Sequence, residues 1–148
     1  MADTNIVSKT IVKTVKSYEP LGPYSQAILF DDGKTLYVSG VKGLNKHGQM
    51  VCGDAVDQTR QALYNLQNVL EAGGASLQSV IKTTLLLSDM QTFKAVNAVY
   101  SEVFNVNPPT RTTFQAKLQM DAAVEIECIA VAGQIVVAEA ELCPCSKI

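Results

Sequence analysis

The chain has no tryptophan, a single histidine and little charge. Among 148 residues, 12 are Lys or Arg and 14 are Asp or Glu, a formal net charge of -2. General phosphate binding needs a basic excess or a basic stripe, so this balance weighs against nucleic acid as a partner. The histidine, His47, sits in a polar, glycine-containing loop and reads as an exposed loop residue. A Ser-His-Asp site or a histidine metal site would rest on it alone. There is no P-loop and no Gly-x-Gly-x-x-Gly, so nucleotide cofactors lack their usual cradle. The longest near-apolar stretch, Ile129 to Ala138 with Gln134 inside it, is far short of the roughly 20 residues that span a bilayer. No membrane partner is expected. Met1 to Ile6 shows no basic region followed by an apolar run, so no secretory signal is expected. Cysteines at 52, 128, 143 and 145 are too scattered for a disulfide framework. Reduced thiols and a cytoplasmic location follow. The final Ser146-Lys147-Ile148 is one conservative step from the Ser-Lys-Leu peroxisomal address, which is the alternative location. Cys143-Pro144-Cys145 is spaced more tightly than the usual zinc pair and reads as tail.

What is present suits one packed domain. Hydrophobic residues make up 47% of the chain, and a domain of this size hides about 70% of its unfolded surface. The reading is residues 1–148 as a single domain. Ile11, Val12 and Val15 suggest a short strand, and Ser25 to Phe30 and Thr35 to Val38 two more, joined at Asp31-Asp32-Gly33-Lys34 by a hairpin turn. Ser39 to Gly43 leaves the sheet, and Val41 to Gly53 is a loop. Asp54 caps a helix to about Glu71, with Val56, Leu63, Leu66 and Leu70 on one face, and Gly73-Gly74 stops it. Val80 to Leu87 is a strand with apolar residues on both sides. Ser88 or Asp89 caps a second helix that turns Phe93, Val96, Tyr100 and Val103 inward. Arg111 to Leu118 and Val124 to Val131 are strands, with Ile135 to Val137 as an extension. Right-handed crossovers put both helices on one face of the sheet. The other face carries apolar residues too, which predicts cover by further copies of the chain.

A sparse polar set stands in these apolar segments. Arg111, behind Pro108-Pro109, suits bidentate capture of a carboxylate, or else a salt bridge to Glu125 or Glu127. Glu125 could serve as a general base on water, or as the partner of a lysine on a neighbouring strand. Tyr24 offers a hydroxyl at a pocket edge or is packed with its tip wet. Ser39-Gly40 permits close backbone approach to a ligand or merely ends a strand. Asn97, in the second helix, reads as a cap on loop backbone.

Several of these segments, in order and with family spacing, resemble the reactive-intermediate deaminase family (RidA/YjgF-like). They are Gly22-Pro23-Tyr24-Ser25-Gln26-Ala27, Leu36-Tyr37-Val38-Ser39-Gly40, Gln58 to Leu63 with Asn65-Leu66, and Ile81-Lys82-Thr83-Thr84. Asp89-Met90 with Phe93, Val96 to Tyr100, Pro109-Thr110-Arg111 and Val124 to Ala130 complete the set. The match runs from about residue 8, leaving the tail 133–148 outside it.

The resemblance implies an α+β, chorismate-mutase-like (bacillus type) fold: a mixed sheet of about six strands with two helices on one face. It implies a homotrimer with pockets between subunits and no cofactor or metal. The implied reaction is hydrolysis of 2-aminoacrylate, 2-iminopropanoate and 2-iminobutanoate to 2-keto acids and ammonia. Arg111 would clamp the carboxylate and Glu125 would position the water. Tyr24, Ser39, Gly40, Asn97 and Thr113 would line or order the pocket. A protonated imine is already electrophilic, so an anchor, a water and a proton path suffice. Three positions depart from the usual pattern: Val41 replaces a glutamine, Gln119 a proline, and Thr113 a cysteine, which argues against thiol chemistry. Two other functions compete: an endoribonuclease or translation inhibitor, and a non-catalytic ligand-binding or chaperone-like module.

Overall fold

The computed structural model describes residues 8–30 and 34–138. The first three residues of the expected turn Asp31-Asp32-Gly33-Lys34, the Cys143/Cys145 pair and Ser146-Lys147-Ile148 lie outside the described residues. The elements run β1 (Lys9–Val12), β2 (Ala27–Phe30), β3 (Thr35–Lys42), α1 (Ala55–Ala72), β4 (Val80–Leu87), α2 (Phe93–Val103), β5 (Thr110–Gln115) and β6 (Val124–Val131). They form one six-stranded sheet in the order β1-β2-β3-β6-β4-β5. Only β4 and β5 pair in parallel; β6 is inserted antiparallel between β3 and β4.

Local chemistry fixes the helix bounds. Asp54 accepts hydrogen bonds from the Val56 and Asp57 amides (2.8 and 3.2 Å), while Asp57 accepts one from the Asp54 amide. This reciprocal cap satisfies donors that the first helical turn leaves free. Leu66 and Leu70 are fully buried from α1. The helix ends at Gly73, where a Cβ would stand 2.6 Å from Leu36 Cδ2, and Gly74 then takes φ +77°. Asp89, not Ser88, caps the second helical segment. Its carboxylate accepts from the Gln91 amide (2.8 Å) and opens a 3-10 turn, Met90–Thr92, ahead of α2. Together with Leu85, Leu87, Val96, Val124 and Ile126, the two helices bury one face of the sheet.

The structure corrects several boundaries. β3 does not stop at Val38: it continues to Lys42 through a register shift between Val38 and Val41. Ser39-Gly40 is therefore a β-bulge rather than an exit from the sheet. β5 ends at Gln115 instead of Leu118, because a turn at Gln119–Asp121, with Met120 at φ +61°, sends the chain back. Ile135 to Val137 forms no strand. Among the described residues, Ala132 and Gly133 make the last backbone bonds, to Lys34 and Gly74, and Gly133 at φ +100° turns the chain outward, leaving Val136 91% exposed.

The face away from the helices is uncovered in the single chain. Ile11, Ile28, Tyr37 and Ile129 lie in one cross-strand row, and Leu86 pairs in register with Phe114. Tyr37 is 50% exposed and Phe114 48%.

Candidate functional site

The expected site residues divide into two groups. The first gathers around the bulge of β3. Ser39 Oγ donates to the Ser25 carbonyl (2.7 Å), tying β3 to the segment that carries Tyr24. Tyr24 Oη accepts from the Leu21 amide (3.1 Å), which folds its ring over the 21–24 turn. Tyr24 and Ser39 line an open-face cleft of about 510 Å³, shared with Tyr37, Lys82 and Glu127. Next to Ser39, Gly40 lies against Glu125: a Cβ there would stand 2.9 Å from the Glu125 carboxylate carbon. No residue larger than glycine fits without displacing that carboxylate.

Glu125 is not free. Its Oε1 pairs with Lys42 Nζ at 3.1 Å, directly across the β3–β6 ladder. This is the lysine partner that the sequence left as one of two readings for Glu125. Lys42 is not among the expected site residues, because the sequence pattern has residues 39–43 leave the sheet. A lysine between Val41 and Leu44 was the available signal. Gln26 is a second omission. Its side chain accepts from the Thr14 amide (2.7 Å) and donates to the Thr14 and Tyr18 carbonyls, stapling the leading segment to β2.

The second group stands at the β5 edge, under α2. Arg111 Nη1 donates to Asn97 Oδ1 at 2.9 Å. The guanidinium carbon lies 4.7 Å from the Tyr100 ring centre and 5.8 Å from that of Phe93. Two aromatic faces and one amide thus hold the cation through its π-electron and dipole partners. Tyr100 is fixed in turn by a 2.8 Å hydrogen bond with Thr83, and burial pushes its phenol pKa up. Neither expected salt bridge forms: among the described residues, no carboxylate pairs with Arg111. Asn97 holds the arginine rather than capping loop backbone. Thr113 Oγ1, two residues along the same strand face, is buried with no hydrogen-bond partner.

Within one chain the two groups do not meet. Arg111 is level with Thr83, and Thr83 with Cys128; Glu125 is opposite Leu86, three residues further on. That places the two backbones about 10 Å apart along the strands and about 10 Å across them. The faces differ as well. Arg111 points toward α2, whereas Glu125 alternates with Val124 and Ile126, whose side chains fill the helix-side core. His47 is exposed in the loop after β3, where its amide donates to Asn45 Oδ1. Among the described residues, no group of His, Cys, Asp and Glu could hold a metal ion. No described helix is long and apolar enough to cross a membrane.

Comparison with known proteins adds to this geometry. The family model described as endoribonuclease L-PSP matches residues 14–132. The RutC family protein UK114 of Drosophila melanogaster is 44% identical over 131 residues, 87% of this chain and 94% of its own. The 2-iminobutanoate/2-iminopropanoate deaminase of Mus musculus is 41% identical over 132 residues, 88% of this chain and 96% of its own. Among solved structures, E. coli TdcF with bound serine superposes with a TM-score of 0.76 at 32% identity, covering 84% of this chain and 99% of that one.

Proposed function

The chain belongs to the RidA/YjgF family, and on that premise we propose that it hydrolyses small 2-imino acids to 2-keto acids and ammonia, at sites formed between copies of itself. The observation that carries the reading is Arg111: a guanidinium held by Asn97 and two aromatic rings, with no carboxylate paired to it among the described residues. Such a group is set to take a carboxylate from outside the chain, and its planar fork matches one bidentately. The substrates that fit are 2-iminopropanoate, its enamine tautomer 2-aminoacrylate, and 2-iminobutanoate. E. coli TdcF, solved with serine, is a relative that holds an amino acid.

In the proposed reaction the Arg111 fork fixes the carboxylate, and Glu125 orients a water against the imine carbon. The new C–O bond draws the imine pair onto nitrogen, giving a carbinolamine. A proton from the added water passes to nitrogen, the C–N bond breaks, and ammonia leaves as the ketone forms. Tyr24, Ser39 and Gly40 line the Glu125 side of the pocket; Asn97 and Thr113 support the Arg111 side. Because the two groups lie on opposite faces of one sheet, a complete pocket takes Arg111 from one copy and Glu125 from another. A homotrimer closes such head-to-tail contacts. The open apolar face, with Tyr37 and Phe114, supplies the surface it would bury.

The test generates 2-iminopropanoate with an amino-acid oxidase and traps it with semicarbazide. The protein should suppress semicarbazone formation, and Arg111→Ala should not. A folded, oligomeric protein with no effect would contradict the reading. RNA cleavage, which the family description names, remains the alternative activity. A net charge of -2 weighs against it, and RNA binding that falls steeply with salt would favour it.

A further inference from the structure

Among the described residues, Lys42 is the only buried charged side chain. Lysine is almost never so placed unless paired. Its backbone is pinned on both sides. The amide donates to Tyr18 Oη at 3.0 Å, and the carbonyl accepts from Asn65 Nδ2 at 3.0 Å. Tyr18 is itself buried, and burial pushes its phenol up to about 12, so the hydroxyl stays protonated at neutral pH. The ammonium therefore leaves a fixed point of β3 and meets Glu125 Oε1 at 3.1 Å. The same oxygen is the carboxylate atom nearest Gly40, so the ammonium and the glycine backbone both bear on Oε1 and leave Oε2 to one side.

We propose that Lys42 is a positioning residue for Glu125, fixing the plane of its carboxylate so that the second oxygen directs the attacking water. The inference rests on the deaminase reading. The outermost torsion of a glutamate is broad, so an unrestrained carboxylate samples many orientations. An ammonium on one oxygen and a glycine backbone behind it remove that freedom. Stability alone does not account for the pair, since a buried ion pair is often no better than apolar residues of similar volume. Lys42 does not touch the substrate; it acts through Glu125.

The experiment measures kcat and KM for imine hydrolysis in wild type, Lys42→Met, Glu125→Gln and the double variant. Lys42→Met should lower kcat by about 10- to 100-fold, the scale of a misdirected reacting group, and leave KM within about twofold. The double variant should match Glu125→Gln, because the lysine has no task once the carboxylate is gone. Two results overturn the proposal: kcat of Lys42→Met within about twofold of wild type, or Lys42→Met slowing the Glu125→Gln enzyme by its full factor again. If Lys42→Met alone fails to fold, Lys42→Arg keeps a buried charge on Glu125 but shifts where it bears on the carboxylate: kcat lowered at unchanged KM supports the proposal, and kcat within about twofold of wild type overturns it. An inactive wild type would overturn the deaminase reading together with this one. An active wild type with an indifferent Lys42→Met would overturn this one only.

Discussion

Arg111 carries three contacts that a lysine cannot reproduce: a directed hydrogen bond to Asn97 and stacking against Tyr100 and Phe93. Arg111→Lys keeps the charge and loses the fork. We expect kcat/KM for imine hydrolysis to fall by about 100-fold, roughly 2.7 kcal/mol of lost transition-state binding. Gly40→Ala drives a methyl into the Glu125 carboxylate and should lower kcat by about 10-fold or more with little change in KM, read in the same assay. The sequence showed which residues carry charge in apolar surroundings, but not which face each occupies. Arg111 could have met Glu125 or Glu127 as far as composition goes. Face parity decides otherwise, and parity depends on the register of β5 on β4 and β6 on β4, a property of paired strands. The loop-backbone cap expected of Asn97 gives way to Arg111, a partner that sequence does not show because the contact joins a helix to a strand 14 residues away.

At the level of elements, the helices were the most legible. Asp54 and Gly73-Gly74 bracket α1 by signals visible in the sequence, although the close approach of Gly73 to Leu36 shows only in the packed fold. Asp54→Ala removes both cap hydrogen bonds and should cost about 1 kcal/mol, measured as a drop in unfolding midpoint at unchanged m-value. The β3 bulge was not legible, since Ser39-Gly40 resembles a strand end and becomes a bulge only when β6 pairs beyond it. Ile135 to Val137 differs for the reverse reason: its composition suits a strand, but among the described residues no neighbour strand pairs past Val131. Strand β6 gives a further test. Burial pushes the Cys128 thiol up to about 12, whereas Cys52 is exposed. Alkylation at pH 8, followed peptide by peptide, should label Cys52 quickly and Cys128 only after denaturation.

For the whole molecule, the arrangement follows from two helices and a two-sided sheet. The helices cover one face, and Tyr37, Phe30 and Phe114 stay exposed on the other. Tyr37→Asp places a charge on that open face and should convert the proposed trimer to a monomer with unchanged far-UV circular dichroism, as sedimentation would show. The same asymmetry separates the two groups of the proposed site: β5, at the sheet edge, presents Arg111 toward the helices, while β3 and β6 present Gly40 and Glu125 to the open side. The measurement that tests this most directly mixes two inactive proteins. Arg111→Ala and Glu125→Gln protomers are unfolded together, refolded and assayed for imine hydrolysis. In randomly mixed rings, a pocket with wild-type Arg111 from one copy and wild-type Glu125 from the next arises in about one case in four. Recovery of about a quarter of wild-type activity is the predicted result; mixed oligomers that remain as inactive as their parents would contradict a site shared between copies.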